Sequence, residues 1–567
     1  MSTLITLLEQ AHKPDAGFVF VDRRENETSY SFEQVYERVQ KAGTKLHKMG
    51  IQKGDRVAIM LPTSIEFMDA FLGAQYIGAI PVPLYPPVRL GKLDEFFART
   101  ATMLNAVGAK VILTNTQIRR ILGQLLHHYT PPMGIVLTAS LTKESSPIIK
   151  HNTHCDDICL IQFSSGTTQN PKPVTLTHKQ TLANVYAIAN SFPDEITTPI
   201  GCSWLPLYHD MGLIGCVFPA IALSGKLVLI PPEVFLTRPK LWLRAIARHN
   251  AFISPAPNFA YSLCTQRIKD SDLEGHDLSC WKMALNGAEP VAPEHLRTFI
   301  QRFAPFGFAP QALTPVYGLA EASLAVTFSD PASTFTAHRF DRDKLAQGIA
   351  QKSDQPQSIE LASVGTPLTG FDIEIRSPHG SPIDDGHVGA IWVRGPSLTS
   401  GYMGDLPSPV IDGWLNTGDV GFLFHGELYI SGRIKDVLVI RGQNHSPYDI
   451  EHAVDSVEGV RTGCAVAVSN ITSSGEELLV FVEYRVHDKT LAQRCQQSII
   501  EKTGIRPDAV IILEGGTLPR TSSGKLRRKE TLHRFITQKL IPPKKVNTFL
   551  IAGALTKSAL GYLKSRR

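Results

Sequence analysis

Along the N-terminal half of the chain, short apolar runs alternate with longer segments of mixed polarity. The apolar runs predict buried strands. They include residues 57–61, 111–113, 159–163 and 227–230. The mixed segments, such as 32–49 and 239–249, predict helices. Strands that alternate with helices in this way indicate an α/β fold.

Further along, the pattern changes to short alternating strands. These strands are predicted at 371–375 and 390–394, with turn signals at Gly380 and Gly386. We expect a smaller β-rich subdomain here, closing near Gly432.

A separate small α+β domain is predicted after that point. Its elements are a helix at about 448–457, strands at 464–468 and 478–484, and a helix near 490–503. By composition alone, the segment 432–436 that precedes it is a charged interdomain linker.

The length of 567 residues exceeds one ordinary hydrophobic core, so several folding units are expected. We place a large domain at 1–432, the linker at 433–436, a small domain at 437–539 and a tail at 540–567. Residues 329–358, rich in Asp, Ser, Thr and Gln, indicate an excursion inserted between elements of the large domain.

Hydrophobic content of 43% and charged content of 19% are typical of a globular enzyme. The net charge of +5 is unevenly distributed, because residues 519–567 carry 13 Lys or Arg and a single acid, Glu530. Such a basic block would attract an anionic nucleotide, an acidic protein partner or a lipid surface. Alternatively, it is a solvated helix face. The charge count leaves these alternatives open.

Eight cysteines are too sparse for a disulfide scaffold and lack paired zinc spacing, so we expect reduced thiols packed in the core. The N-terminus shows no secretory signal, and no run of about 18 apolar residues is long enough to span a membrane. We therefore expect a cytoplasmic protein, and we expect no nucleic acid among its partners.

The strongest local signal for chemistry is the segment 162–172, Gln-Phe-Ser-Ser-Gly-Thr-Thr-Gln-Asn-Pro-Lys. Small hydroxyl residues and a glycine after an apolar strand can wrap phosphate oxygens, and the lysine adds a positive charge. The candidate phosphate-binding residues are Ser164, Ser165, Gly166, Thr167, Thr168 and Lys172. The spacing is not that of a Walker loop, and a turn of this composition also occurs as a plain polar connector.

Five further motifs follow this loop in order along the chain. They are Asn-Gly-Ala-Glu-Pro at 286–290, Tyr-Gly-Leu-Ala-Glu at 317–321, Trp-Leu-Asn-Thr-Gly-Asp at 414–419, Gly-Arg-Ile-Lys-Asp at 432–436 and Pro-Arg-Thr-Ser-Ser-Gly-Lys at 519–525. The ordered series resembles the adenylate-forming superfamily of acyl-CoA synthetases, luciferases and peptide-synthetase adenylation domains, over about residues 30–539. The resemblance implies ATP and Mg²⁺ as cofactors, an AMP-binding domain at 1–432 and a mobile C-terminal lid domain at 437–539.

The same resemblance implies a role for individual residues. Those expected to contact the nucleotide, besides the phosphate loop, are Gly287, Ala288, Glu289, Tyr317, Gly318, Asp419 and Arg433. Glu321 would bind the metal, Lys435 and Asp436 would form the hinge, and Lys172 and Lys525 would be catalytic cations. Taken singly, Asp419 is as readily a turn former, Glu321 a carboxylate at a helix start and Lys525 one charge of a solvated basic run.

One branch of the superfamily matches further. The segment around His209, the alanine at 320 and the Asp341-Arg342 pair inside the excursion resemble fatty acyl-AMP ligases. In that branch the acyl tunnel meets the nucleotide near the position of His209, which we include among the catalytic candidates. The excursion is associated with poor use of coenzyme A, and the acyl group passes to the phosphopantetheine arm of an acyl carrier protein.

The leading hypothesis is therefore activation of a medium- or long-chain fatty acid as acyl-AMP. An acyl-CoA ligase is the first alternative. A catalytically degenerate nucleotide- or lipid-binding scaffold is the second, suggested by two departures from the motif, Gln169 and Pro173. Proline fixes φ and removes a donor, so the end of the loop should be stiffer. A helix predicted at 549–563 in the basic tail would lie on a membrane surface or dock on the protein itself.

Overall fold

The computed structural model describes residues 2–11, 13–87, 93–143, 153–164, 171–355, 358–440, 443–472, 475–486, 488–521, 525–543, 555–559 and 561–562. It confirms an α/β protein with a large N-terminal domain and a smaller C-terminal domain.

The α-helices with complete bounds are α1 (Leu4–Gln10), α2 (Phe32–Lys48), α3 (Ile65–Tyr76), α4 (Leu93–Val107), α5 (Thr116–Leu122), α6 (His178–Ala189), α7 (Asp210–Gly212), α8 (Phe218–Ala222), α9 (Pro232–Thr237), α10 (Lys240–His249), α11 (Asn258–Arg267), α12 (Pro293–Phe303), α13 (Arg342–Ala346), α14 (Pro447–Asp455), α15 (Leu491–Thr503) and α16 (Arg528–Ile536).

The strands are β1 (Gly17–Val21), β2 (Glu27–Ser31), β3 (Arg56–Met60), β4 (Ile80–Pro83), β5 (Val111–Thr114), β6 (Ile135–Leu137), β7 (Ile158–Phe163), β8 (Pro173–Thr177), β9 (Ile200–Ser203), β10 (Lys226–Leu229), β11 (Ile253–Ala256), β12 (Met283–Asn286), β13 (Leu313–Gly318), β14 (Ala325–Phe328), β15 (Ala337–Phe340), β16 (Ile359–Ala362), β17 (Thr366–Pro367), β18 (Asp372–Arg376), β19 (Gly389–Arg394), β20 (Gly401–Tyr402), β21 (Val410–Ile411), β22 (Trp414–Phe424), β23 (Glu427–Arg433), β24 (Leu438–Ile440), β25 (Gln443–His445), β26 (Val460–Thr472), β27 (Gly475–Tyr484) and β28 (Ala509–Leu513).

Local sequence explains individual elements, and α2 is one example. Ser31 and Gln34 form a reciprocal capping box at its start, in which each side chain accepts a hydrogen bond from the other residue's backbone amide. Val35, Val39 and Leu46 then recur at helical spacing and are fully buried. This apolar stripe explains why α2 packs along α3.

A nine-stranded sheet organises the N-terminal domain, in the order β17-β14-β13-β12-β11-β9-β10-β1-β2. Strands β1, β10, β9, β11, β12 and β13 run parallel. Their side chains alternate between two cores, one shared with α10, α11 and α12 and the other with α6 and α8. Because both faces are covered, ligand access falls at the carboxyl ends of the parallel strands.

The β-rich subdomain contains β18, β19, β21, β22 and β23. The predicted excursion folds against it: β15 pairs with β16, and Phe340 packs fully buried against Phe422 and Tyr429. The excursion is thus a folded element, and its pairing strand extends past 358 to Ala362.

The C-terminal domain packs α14, α15 and α16 on the sheet β26-β27-β28, next to the hairpin β24-β25. Its strand β26 is longer than the predicted 464–468, because it pairs with β27 over nearly its whole length.

The described part of the tail docks on the protein's own N-terminal domain. Residues 555–559 and 561–562 are helical, and Ser558 is fully buried with its Oγ accepting the Gly123 amide at 2.8 Å. The Tyr562 hydroxyl donates to the Arg119 carbonyl, also at 2.8 Å. The remainder of the predicted helix, residues 549–554, 560 and 563, lies outside the described residues. No helix in the described part of the chain is long and apolar enough to cross a membrane.

The cysteines agree with the expectation of core packing. All eight are free thiols, seven of them buried and Cys280 partly so.

Candidate active site

A cavity of about 300 Å³ lies at the carboxyl ends of β9, β11, β12 and β13, below the C-terminal domain. Strands, the linker and the C-terminal domain all contribute to its lining. The predicted site residues found there are Ser164, Lys172, His209, Ala288, Tyr317, Gly318, Glu321, Arg433, Lys435 and Lys525. One cavity therefore collects residues that are separated by up to 361 positions in the sequence.

The phosphate loop is closed at its base by two hydrogen bonds. The Ser164 amide donates to the Lys172 carbonyl at 2.9 Å, and the Lys172 amide donates to Ser164 Oγ at 3.1 Å. Pro173 is the first residue of β8, a strand position that tolerates proline. Ser165, Gly166, Thr167, Thr168 and Gln169, which complete the predicted loop, lie outside the described residues.

Lys172 and Glu321 meet at Tyr402. The Lys172 Nζ lies 4.7 Å from the centroid of the Tyr402 ring, whose hydroxyl lies 3.1 Å from Glu321 Oε1 and donates to it. Burial raises the pKa of the Glu321 carboxyl, while the hydrogen bond from Tyr402 and the charge of Lys172 act against this shift. Sequence reasoning missed Tyr402, because an aromatic residue after Gly401 lies outside all six motifs.

Lys525 enters the cavity from the C-terminal domain. Burial lowers the pKa of its ammonium group, and the charge of Arg433 adds to this effect. Three carboxylates oppose the shift and favour the charged form: Asp210, Asp419 and Glu289.

The basic run that follows Lys525 is not a uniformly solvated face. Arg527 and Arg528 are each 6% exposed, whereas Lys529 is exposed to solvent. Arg528 donates to Asp436 at 2.8 Å and forms a two-point ion pair with Glu451 at 2.6 and 2.8 Å. Arg528 therefore anchors the predicted hinge residue Asp436 to the C-terminal domain, while Lys435 beside it lines the cavity.

Asp419 joins two other predicted nucleotide contacts. It accepts the Tyr317 hydroxyl on Oδ2 at 2.7 Å and Arg433 Nε on Oδ1 at 2.8 Å. Asp419 is 5% exposed and is not among the residues found lining the cavity, although Gly418 and Arg433 are; each of its carboxylate oxygens keeps a second lone pair for a further donor. Burial, followed by the charge of Asp419, raises the pKa of Tyr317, which keeps that hydroxyl a donor.

The segment predicted to contact adenine divides between the cavity and its supporting wall. Ala288 lines the cavity at a left-handed φ of +68°, whereas Gly287 packs against Val316, where a Cβ would come within 2.9 Å of the backbone oxygen. Glu289 turns away, since its Oε1 accepts the Phe259 amide at 2.7 Å. The structure does not bring Gly287 and Glu289 into the described lining.

His209 lines the cavity together with its neighbour Asp210, and the apolar part of the lining is here called the apolar arm. Its Nδ1 lies 2.6 Å from Asp210 Oδ1. Burial would raise the pKa of Asp210, but His209 and then Lys525 hold it below its usual value. Beyond His209 the lining is apolar and includes Met211, Gly215, Ile188, Leu285, Leu324 and Phe328.

Among the contacts that connect the C-terminal domain to the N-terminal domain away from the cavity, two involve titratable side chains on α14. Arg342 of the excursion donates to Asp449 of α14 at 2.5 Å, and burial raises the pKa of that carboxyl while Arg342 opposes the shift. On another side, the rings of His295 and His452 lie 5.2 Å apart.

The fold and the site together define an adenylate-forming enzyme, with predicted nucleotide contacts at the strand ends and a lysine supplied by the C-terminal domain. A family model described as AMP-binding enzyme matches residues 8–403, and one described as Disco-interacting protein 2-like, AMP domain, matches residues 435–544. The chain belongs to the AMP-binding enzyme family.

Several relatives are similar over nearly the whole chain. The medium-chain-fatty-acid–[acyl-carrier-protein] ligase JamA of Moorena producens is 31% identical and covers 94% of this chain and 95% of its own length. The long-chain-fatty-acid–AMP ligase FadD26 of Mycobacterium tuberculosis is 31% identical over 89% of this chain and 91% of its own. A solved structure from a study of fatty acyl-adenylate ligases from E. coli and L. pneumophila has a TM-score of 0.89 at 34% identity. The match covers 95% of this chain and 98% of the solved chain.

Proposed function

We propose that this enzyme activates a fatty acid with ATP, forming acyl-AMP and pyrophosphate, and then passes the acyl group to an acyl carrier protein. One observation carries the first part. Lys172 and Lys525, from different domains, line one cavity with Glu321 and with the residues of the apolar arm.

The chemistry requires such an arrangement. A carboxylate oxygen forms a bond to the α-phosphorus of ATP, and the bond from that phosphorus to the bridging oxygen breaks as pyrophosphate leaves. Both reactants are anions, so cations must be held where negative charge accumulates. Lys172 on the phosphate loop and Lys525 at the junction of acyl carboxylate and α-phosphate would supply that charge.

Glu321 fits the role of a magnesium ligand. It offers hard carboxylate oxygens, one of which already accepts the Tyr402 hydroxyl, and Mg²⁺ in nucleotide sites commonly takes one or two protein carboxylates together with phosphates. Bound there, Mg²⁺ would neutralise phosphate charge. Asp419 would hold the ribose, with Arg433 and Tyr317 orienting its carboxylate.

Transfer to a carrier protein, with poor use of coenzyme A, is supported by two considerations. A carrier-protein ligase, JamA, is among the relatives over nearly the full length. The Arg342–Asp449 ion pair also connects the excursion to the C-terminal domain while Lys525 occupies the cavity, and this favours the adenylating arrangement. In the transfer step the phosphopantetheine thiol loses its proton, sulfur bonds to the acyl carbon and AMP leaves.

The test is incubation of the full chain with ATP, Mg²⁺ and a panel of fatty acids, with products identified by mass spectrometry. Acyl-AMP and pyrophosphate are expected with fatty acids. A phosphopantetheinylated carrier protein should then be acylated, and coenzyme A should react slowly. The absence of any acyl-AMP would contradict the proposal and leave a binding scaffold, whereas rapid acyl-CoA formation would indicate an acyl-CoA ligase.

A further inference from the structure

A second, smaller cavity of about 30 Å³, here called the inner cavity, adjoins the main one. It is lined by residues of β9, β10, β11 and α8, and its described lining is apolar apart from Lys226. Gly215 and Pro255 line both this inner cavity and the main one. The two cavities are therefore in series, with these two residues at the boundary.

Leu324 closes the boundary over Gly215. A Cβ placed on Gly215 would come within 2.7 Å of Leu324 Cδ2, so the leucine occupies the space that a side chain at 215 would need. Leu324 itself lines the main cavity and packs against three of the buried cores. An apolar ligand that grows along the main cavity meets Leu324 before it meets the inner cavity.

The backbone holds Leu324 in this position. Ser323 has φ +67° and ψ −57°, a strained conformation that persists only where the surroundings determine it. Its Oγ donates to the Ser397 carbonyl at 2.8 Å, and the Leu319 amide donates to the Leu324 carbonyl at 2.8 Å. The Leu324 carbonyl oxygen passes so close to Gly318 that a Cβ at position 318 would not fit. The side chain at 324 is consequently directed by a fixed turn, while its own rotamers remain available to move.

We propose, resting on the fatty-acid activation proposed above, that the two cavities hold the acyl chain and that Leu324 against Gly215 sets its length. Chains that end in the main cavity bind without displacing Leu324. Longer chains must turn Leu324 aside to enter the inner cavity, whose volume suits about two water-sized groups, such as a terminal methyl and one methylene. The pair thus favours acids that end in the main cavity over longer acids that must displace Leu324.

The experiment compares the parent enzyme with Gly215→Ala and Leu324→Ala, using kcat/KM for pyrophosphate release with saturated acids from hexanoic to hexadecanoic. Gly215→Ala should press Leu324 toward the inner cavity and shift the optimum to shorter acids, with about tenfold or greater loss at the longest accepted acid. Leu324→Ala should shift the optimum to longer acids. Leu263→Ala is the matched control, because Leu263 is a partly buried leucine packed against one of the same cores and lines neither cavity.

An unchanged chain-length optimum in both variants, with a parent enzyme that adenylates fatty acids, would overturn the proposal. The same optimum shift in Leu263→Ala would also overturn it, since the effect would then come from general loosening. If the parent adenylates no fatty acid at all, the proposed function fails instead. Should Gly215→Ala not fold, as judged by circular dichroism, Leu324→Ala alone decides, because its expected shift has the opposite sign.

Discussion

Lys172 and Lys525 place positive charge in one cavity from two directions, and each is held by different means. Lys172 follows a loop closed by hydrogen bonds to Ser164, whereas Lys525 depends on the position of a whole domain. At Lys525, burial and Arg433 weaken the charged form and nearby carboxylates restore it. The pKa of Lys525 is therefore lowered by burial and by Arg433, while the surrounding carboxylates limit the shift.

Replacing Lys525 by alanine should remove charge stabilisation from the adenylation transition state. We expect acyl-AMP formation to fall about 100- to 1,000-fold, while ATP binding measured by calorimetry changes little. Lys529→Ala is the control, because Lys529 belongs to the same basic run but is exposed. Equal activity of the two variants would refute the role of Lys525.

Glu321 and Tyr402 give a graded test of the magnesium role. Tyr402→Phe removes the hydroxyl that donates to Glu321, and loss of such a partner typically weakens metal binding about 10- to 100-fold. Glu321→Gln should raise the Mg²⁺ concentration for half-maximal pyrophosphate release further still. The exposed Tyr186→Phe should leave it unchanged. A Mg²⁺ dependence identical in all variants would exclude Glu321 as the ligand.

At this scale the sequence motifs identify residues but not their contacts. Asp419 was expected at the ribose, and its simultaneous bonds to Tyr317 and Arg433 depend on strands that are distant in sequence. Glu289 belongs to a matching motif, yet its carboxylate faces the start of α11. A motif fixes residue type and spacing, whereas the direction of each side chain depends on packing that sequence spacing does not contain.

Among the elements, the excursion containing α13 has the clearest effect on its surroundings. It packs on the β-rich subdomain through Phe340 and places Arg342 against Asp449 of α14. The ion pair is mostly shielded, with 21% and 16% of the two side chains exposed. One short helix therefore joins the subdomain to the C-terminal domain.

Arg342→Ala should loosen this connection. Asp449 would be left buried without its cation, at a cost of about 1–3 kcal/mol to the closed arrangement. We expect faster hydrogen–deuterium exchange in α14 and a higher ratio of acyl-CoA to acyl-AMP when coenzyme A is present. Arg339→Ala, on the same excursion, is the control. Unchanged exchange and product ratio in Arg342→Ala would show that the pair does not restrain the domain.

Elements with strong local periodicity were predicted well. The predicted helices at 32–49 and 490–503 and the strand at 111–113 agree with α2, α15 and β5 to within about a residue at each end. The folded structure of the excursion was not predicted. Phe340 is one of few large apolar residues in a polar segment, and its packing partners come from β22 and β23. Non-local packing of this kind leaves little periodic trace.

For the molecule as a whole, we expect the contact between His295 and His452 to make domain closure sensitive to acid. Burial lowers the pKa of both rings, that of His452 to about 4, and the mutual repulsion of the rings adds to the shift at His452. Other charges face the pair: Glu294 raises both pKa values and Lys502 lowers them. An open arrangement would restore ordinary values near 6.5.

The sign of the effect follows from proton uptake. The open form binds more protons between about pH 6.5 and 4, so closure is fully stable above that range and weakens as the pH falls through it. His452→Gln should remove much of this dependence, measured as the pH profile of small-angle scattering. The exposed His128→Gln should retain it. A parent profile flat from pH 7 to 4.5 would contradict the prediction.

The docked tail means that the C-terminal domain is joined to the N-terminal domain at both of its ends, so the polypeptide forms a closed loop. Between Pro543 and Leu555 there are twelve chain steps, which span roughly 40 Å when fully extended. Any rotation of the domain must keep Pro543 within that distance of the docked Leu555, or else withdraw Ser558 from its buried position at Gly123. The number of residues in one short connection therefore sets the largest displacement the domain can make with its tail in place.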